Sequence, residues 1–193
     1  MQGARDQEAR VDCRAFLDEM RDALKTELMV DDDKIKVDTC NVTKRYSVVV
    51  KRGDALVALS CFGSERRFYA KAIASVLTDN NDVLTVEAEG DDPVAALRKL
   101  RDEAARAVVA YARAMLSLLR AMAREVSRTK DPEKARVALK IIETYVWLAR
   151  ISLAELAELL RLDSTGATYK MERTLDKVGD VGSKLLKVAV GGG

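Results

Sequence analysis

The chain has 193 residues and no histidine, and its 33 Lys and Arg against 31 Asp and Glu give a net charge of +2. Hydrophobic residues make up 48% and charged residues 33% of the chain, which excludes a disordered protein and allows a sizeable core. The lack of histidine excludes Ser-His and Cys-His nucleophiles and removes the commonest metal ligand, so we predict that the protein is not an enzyme and binds no metal or cofactor.

The first 90 residues predict a small α+β domain. Residues 9–29 carry apolar side chains at three- and four-residue steps, which predicts an amphipathic helix. Val-rich runs joined by short turns predict three strands, at residues 35–42, 45–51 and 55–61. A short helix is predicted from its N-cap Ser64 to about residue 77, and residues 83–88 predict a fourth strand. The strands are expected to form a small antiparallel sheet with flanking helices.

Residues 91–193 predict a second, mainly α-helical domain. Asp92 and Pro93 are a helix start signal, and nothing interrupts a helix from there to about Arg128, a length of about 55 Å. Its apolar side chains follow a spacing of three and four that predicts a seam for a packing partner: Val94, Leu97, Ala104, Val108, Tyr111, Met115, Leu118 and Met122, interrupted by Arg101.

The next helix is predicted to start at Asp131 and Pro132 and to carry a matching seam. That seam consists of Ala138, Ile141, Tyr145 and Leu148. The two helices are therefore expected to form an antiparallel hairpin. Further apolar residues surround the long helix, so it is either central to the fold or a contact with a second copy or a partner protein.

Residues 151–179, ISLAELAELLRLDSTGATYKMERTLDKVG, carry the clearest functional pattern. Ser152 and Glu155 match a capping box at a helix start. A polar turn, DSTG, and a second helix with a basic outer edge follow, which is the order of a DNA-binding helix-turn-helix. The residues expected to contact duplex DNA are Thr165, Thr168, Tyr169, Lys170, Arg173, Lys177 and Lys184, with the three lysines on phosphates.

This segment resembles the helix-turn-helix of winged-helix DNA-binding regulators, in which LAELAELLxLSxSTVxxxLxxLExxG recurs. The resemblance implies a transcriptional regulator that binds double-stranded DNA, normally as a dimer. Arg161 stands where the family usually has glycine, and residues 182–193 hold one apolar run rather than two strands, so any wing is truncated.

A row of basic residues on the long helix lies opposite the predicted seam, and no acid occupies that row. The row consists of Lys99, Arg106, Arg113 and Arg120, continued by Arg124 and Arg128. Residues 91–130 hold nine basic and five acidic side chains, a net charge of +4, whereas residues 1–90 hold fourteen and seventeen, a net charge of −3. Such a stripe could follow a nucleic-acid backbone. The alternative is a solvent-facing row that keeps the helix soluble.

Two functions compete with DNA binding. One is an RNA-binding or nucleoprotein-complex subunit that uses the basic stripe, and the other is a non-enzymatic assembly or adaptor protein that uses the long seam. The stretch GSERRFYAK at residues 63–71 is similar to the GxSKKxAK stretch at the last helix of double-stranded-RNA-binding domains, which implies phosphate contacts by Arg66, Arg67 and Lys71.

The remaining patterns predict the environment of the protein. Cys13, Cys40 and Cys61 have no CxxC spacing and are expected to be isolated, buried apolar groups. The acids at 31–33 and 91–92 could hold Mg²⁺, but adjacent acids in polar turns favour a solvated loop or a helix cap. The chain start lacks a signal-peptide pattern and no window could span a bilayer, which predicts a cytoplasmic protein. The low content of Gln and Asn is typical of thermophiles.

Overall fold

The fold was analysed in a computed structural model, which describes residues 13–40, 45–62, 67–75 and 82–191. A sheet of five antiparallel strands comes first, and a long helix and shorter C-terminal helices follow, so the predicted α+β class is confirmed. The predictions for Ser64, Arg66 and the side chain of Cys40 lie outside the described part. In the described part, no helix combines the length and apolarity that a bilayer crossing requires.

The sheet is a meander in which each strand pairs with the next strand along the chain. Its strands are β1 (Ile35–Cys40), β2 (Arg45–Arg52), β3 (Ala55–Phe62), β4 (Phe68–Ser75) and β5 (Asp82–Gly90). Helix α1 (Leu17–Leu28) precedes it. Gly53 closes the tight turn between β2 and β3 with a φ of 53°, a conformation that glycine adopts without steric cost.

Strand β4 replaces the helix predicted from Ser64 to residue 77, so that prediction is wrong for the described residues 67–75. Its alanines favour a helix by propensity. However, Phe68, Ala70, Ala72 and Ala74 are all fully buried and alternate with partly exposed residues, which is the two-residue period of a strand. Backbone pairing with β3 and β5 on both sides outweighs the local preference.

The helical half begins with α2 (Pro93–Thr129), which has the predicted start and length. The Asp92 carboxylate accepts a hydrogen bond of 2.7 Å from the Ala95 amide, as expected of an N-cap. The following helices are α3 (Pro132–Ile141), α4 (Trp147–Leu159), α5 (Ala167–Asp176) and α6 (Val178–Val190). A π-helical turn, Ile142–Val146, joins α3 to α4, so the chain is helical from 132 to 159.

The capping box predicted at Ser152 and Glu155 is wrong, because both residues lie inside α4. No glycine or proline stands between residues 133 and 151, so the helix continues past Ser152 and offers no free end there to cap. Instead, the buried Ser152 hydroxyl donates to the Ser75 carbonyl at 2.7 Å, and Glu155 accepts from the Asp54 amide at 2.8 Å. The two side chains therefore attach α4 to the ends of the strands.

The seam of α2 is as predicted only in its first half, where Leu97, Ala104 and Val108 are buried. In the second half, the buried positions lie one residue after the predicted ones, and Leu118, a predicted seam residue, is 70% exposed. The buried residues of this half are Ala112, Leu116, Leu119, Ala123 and Val126. One residue corresponds to about 100° of rotation around a helix. The packing partners change at the same point, from the sheet to α3 and α6.

A similar shift occurs on the helix that follows α2. Predicted Ile141 is 38% exposed, whereas Val146 is buried. The π-helical turn inserts an extra residue, so the face that packs changes along the helix. The side chain of Tyr145 lies outside the described part.

Two buried clusters hold the protein together. The first combines α1, the sheet, the first half of α2, α4 and α5. The second combines the second half of α2 with α3 and α6, so α6 packs against both arms of the predicted helical hairpin. Residues on both sides of position 91 contribute to the first cluster. The division into domains at 1–90 and 91–193 stays a prediction.

A disulfide joins Cys13 to Cys61, so the prediction that these cysteines are isolated is wrong. Both residues are buried, as predicted. The bond connects the 3₁₀ turn Cys13–Phe16 to β3, across 48 residues of sequence. No local spacing indicates the pair, because only the fold brings the two residues together.

Candidate functional site

The predicted helix-turn-helix corresponds to α4, a 3₁₀ turn at Leu162–Thr165, and α5. Arg161 has a φ of 56° and a ψ of 47°, so it adopts the left-handed conformation that favours glycine at this position. The two helices have different main partners: α4 packs on β3 and β4, whereas α5 packs along α2. Helix α5 buries only Ala167, Met171 and Leu175, so most of its surface is exposed.

The basic residues of α2, α5 and α6 meet in one groove. This groove has a volume of about 980 Å³ and lies between the second half of α2 and the α5–α6 pair. Leu116, Ala123 and Val181, all buried, contribute its apolar lining. Its cationic lining consists of Arg113, Arg120, Arg124, Lys177 and Lys184, and we call the groove bounded by these five residues the basic groove.

A second, smaller groove of about 390 Å³ adjoins the basic groove, because Arg113 lines both. Arg106 of α2 and Lys170 of α5 contribute its other cations. Thr165 lines this smaller groove as well. Thus four residues of the predicted stripe and four of the predicted DNA-binding set lie along one continuous surface. Lys99 is exposed on α2 but lines neither groove.

The shifted seam explains this convergence. The sequence places Arg113, Arg120 and Arg124 opposite the apolar face of α2. In the fold, each directly follows a buried residue, namely Ala112, Leu119 and Ala123. The three guanidinium groups therefore border the buried face, where α5 and α6 pack, and they contribute to the groove beside those helices.

Ion pairing separates the residues of the predicted stripe into two groups. Arg106 pairs with Glu103 at 2.6 Å, and Arg128 pairs with Glu125 at 2.8 Å. The hydrogen bond from Arg106, and then its charge, lower the pKa of Glu103. The corresponding hydrogen bond from Arg128 lowers the pKa of Glu125.

The five cations of the basic groove have no such partner. Within the ranges that the structure describes, none of them forms an ion pair with an acid of the chain. All five are exposed. Their charges are therefore available to an anionic ligand.

The lining of the basic groove also contains polar side chains that no sequence pattern indicates. Asp180 is its single acid, in the first turn of α6. Ser117, Ser127 and Thr174 contribute hydroxyl groups, and that of Thr174 donates to the Lys170 carbonyl at 2.7 Å. No sequence signal distinguishes these residues, because only the packing of α6 beside α2 brings them together.

The four predicted DNA contacts other than the lysines differ in their surroundings, and of these four Thr165 alone lines a groove, the smaller one. The Thr165 hydroxyl donates to the Leu162 carbonyl at 2.6 Å and accepts from the Ala167 amide at 3.2 Å, so it stabilises the turn. The Thr168 hydroxyl oxygen is buried without a hydrogen-bond partner in the described part of the chain. Tyr169, which is 64% exposed, and Arg173 are on the surface of α5 and line neither groove.

The cations implied by the similarity to double-stranded-RNA-binding domains are near the acids of β5. Lys71 lies on β4 and pairs with Glu87 at 3.1 Å, and Arg67 is 4.0 Å from Glu89. The described part of this stretch leads into a strand, so it does not start a helix as the family pattern does. On the same sheet face, burial and a hydrogen bond to Glu87 raise the pKa of Tyr69 to about 12.

Three of the five acids that could hold Mg²⁺ have other contacts. Asp31 pairs with Lys34 at 3.0 Å, Asp32 pairs with Arg21 at 2.9 Å, and Asp92 caps α2. Among the residues that the structure describes, no three His, Cys, Asp or Glu side chains form a group that could hold a metal ion.

Comparison of the chain with known protein families, curated proteins and solved structures gave no match. The similarity to winged-helix regulators therefore stays a prediction. The geometry and charge of the chain are what bear on its function.

Proposed function

We propose that this protein binds nucleic acid and that the basic groove holds the sugar-phosphate backbone. One observation carries the proposal: cations from two separate parts of the sequence line one groove, and no acid of the described chain pairs with them. Like charges held close together repel each other, and a phosphate chain would relieve that repulsion. Binding would also release the counterions condensed on the nucleic acid, which favours association at low salt.

The length of the basic surface suits a polymer better than a single nucleotide. Arg113 and Arg124 are eleven residues apart on α2, which corresponds to about 16 Å, and the distance from Arg106 to Arg124 is about 27 Å. Phosphates of one strand follow each other every 3.4 Å or so along a duplex axis. The surface could therefore contact several consecutive phosphates.

A second candidate is reading of duplex DNA by α5, which the exposure of Tyr169 and Arg173 favours. In that arrangement α5 enters the major groove, and the cations of the basic groove contact the flanking phosphates. This function would suit a cytoplasmic transcriptional regulator that acts as a dimer. The two candidates make different demands on α5: phosphate binding in the groove needs neither Tyr169 nor Arg173.

Binding measurements on the wild type and three double variants test both candidates. The groove variant is Arg113→Ala/Arg120→Ala, and the α5 variant is Tyr169→Ala/Arg173→Ala. The control is Lys36→Ala/Lys51→Ala, which removes two exposed charges from the sheet. Each protein is titrated with a fluorescent single strand and with the corresponding duplex at low salt. Thermal unfolding of each variant establishes that it is folded.

The proposal predicts that the groove variant loses about tenfold or more in affinity, whereas the control changes by less than about twofold. Equal losses in the groove variant and the control would contradict it, as would a wild type that binds no nucleic acid. If the α5 variant also weakens binding of the duplex, and leaves binding of the single strand unchanged, the second candidate is correct.

A further inference from the structure

The shape of the basic groove bears on which form of nucleic acid it accepts. Its walls are the packed helices α2, α5 and α6. A duplex, whose major groove alone admits a whole α-helix, is too wide to enter a groove of about 980 Å³. A single strand is narrow and flexible enough to lie along a positively charged groove. The groove therefore favours a single strand over a duplex.

Asp180 bears on the chemistry of the sugar. It is the single acid in the lining of the basic groove, and it forms no ion pair with another described residue. An ionised carboxylate only accepts hydrogen bonds, and so does a phosphate, so the two repel each other. Asp180 is exposed, so a strand that displaces water from its carboxylate binds well only if it offers a hydrogen-bond donor in return.

A ribose supplies that donor at every nucleotide. Its 2′-hydroxyl can donate a hydrogen bond, and the sugar of DNA has no equivalent group. Each base also carries a donor, but its position differs from one base to the next and is the same in RNA and DNA, so base donors cannot distinguish the two sugars in a groove that binds any sequence. From these properties we infer that the basic groove selects single-stranded RNA over single-stranded DNA, and that Asp180 accepts a hydrogen bond from a ribose 2′-hydroxyl. This inference rests on the proposed function.

Three oligonucleotides of equal length isolate the 2′-hydroxyl: oligouridine, oligodeoxyuridine and 2′-O-methyl oligouridine. All three strands carry the same base, whose N3–H is its single donor, so a difference in affinity among them comes from the sugar. We expect the wild type to bind oligouridine about tenfold more tightly than oligodeoxyuridine, since a hydrogen bond to a charged group discriminates by about that factor. The 2′-O-methyl strand accepts but does not donate at this position, so it should bind like oligodeoxyuridine.

In Asp180→Ala the preference should fall to about one, mainly because the deoxy strand binds more tightly once the repulsion is removed. The matched control is Glu172→Ala, which removes an exposed acid of α5 that does not line the groove. This control should keep the tenfold preference. The methylated strand tests the same hydrogen bond in the unmodified protein, so the inference stays testable even if Asp180→Ala does not fold.

The possible results distinguish the inference from the proposed function. Equal wild-type affinity for the ribose and deoxyribose strands would overturn the inference alone, provided that Arg113→Ala/Arg120→Ala weakens binding of both. A preference for RNA that persists in Asp180→Ala would also overturn it, as would tighter binding of a matched duplex than of the single strand. If no strand binds at low salt, the proposed function fails as well.

Discussion

The two halves of α2 differ in how their arginines are paired. In the first half, Arg98 and Arg101 contact Glu27 of α1 at 3.0 and 3.3 Å, and Arg106 pairs with Glu103. In the second half, Arg128 near the helix end pairs with Glu125, but Arg113, Arg120 and Arg124 of the basic groove have no acid partner among the described residues. The comparison shows that arginine content alone does not indicate a binding surface, because only the unpaired group offers charge to a ligand.

Arg101 illustrates the structural use of arginine in the first half. It interrupts the apolar seam of α2, and its guanidinium also donates to the Leu160 carbonyl at 3.0 Å and to the Glu27 carbonyl. It therefore satisfies carbonyl groups at the ends of α4 and α1, which helices otherwise leave without a partner. The groove arginines, by contrast, make no such contact in the described part of the chain.

Removal of the disulfide should have the largest effect, and it should change the stability of the protein without changing binding in the groove. Cys13→Ser/Cys61→Ser removes the disulfide and should lower the free energy of unfolding by about 4 kcal/mol, because the unfolded chain loses a cross-link over 48 residues. Denaturant titration measures this loss. The affinity of the folded variant for nucleic acid should be unchanged, since the groove lies in the other buried cluster. A reductant should destabilise the wild type and leave the variant unaffected.

The second largest effect is expected at Arg101, which should stabilise the fold, whereas the arginines of the basic groove should not. Arg101→Ala should lower the free energy of unfolding by about 2 to 3 kcal/mol, because it leaves Glu27, with only 10% of its side chain exposed, near the exposed Arg98 alone. Arg113→Ala is the matched control and should change stability by less than about 0.5 kcal/mol. Similar losses for the two variants in denaturant titrations would contradict the division of α2 into two halves.

The smallest effect is expected at the ion pair between Glu103 and Arg106, which should reduce the attraction of Arg106 for the nucleic acid. Glu103→Gln should release Arg106, which lines the adjoining groove, and raise the affinity for nucleic acid by about twofold. Because the hydrogen bond from Arg106 lowers the pKa of Glu103, the natural pair is intact at neutral pH and is lost only as the pH falls through that lowered pKa. Glu133→Gln, which releases Arg136 on α3, should leave the affinity unchanged.

Periodicity and caps predicted much of the fold. Helices α1 and α2 and strands β1, β2, β3 and β5 follow from patterns that are local in sequence. The exceptions depend on long-range contacts. Strand β4 is rich in alanine and is held by pairing on both sides, and Ser152 binds a strand end instead of capping a helix. The disulfide joins residues whose proximity the sequence does not indicate.

The site was predictable by residue type but not by arrangement. The sequence identified Arg113, Arg120 and Arg124, and separately Lys177 and Lys184, as exposed cations. These cations come together because the buried face of α2 rotates along the helix and because α6 packs beside it. No local sequence pattern indicates either feature. Asp180 was missed for the same reason, since it differs from other surface acids only in its surroundings.

The salt dependence of single-strand binding tests the central claim most directly, because it counts the phosphates that the protein neutralises. The logarithm of the affinity should fall linearly with the logarithm of the salt concentration, with a slope of about −0.7 for each phosphate contacted. If the basic groove holds the backbone, Arg113→Ala/Arg120→Ala should make this slope shallower by about 1.4 relative to the wild type. An unchanged slope would show that these arginines contact no phosphate and would contradict the account.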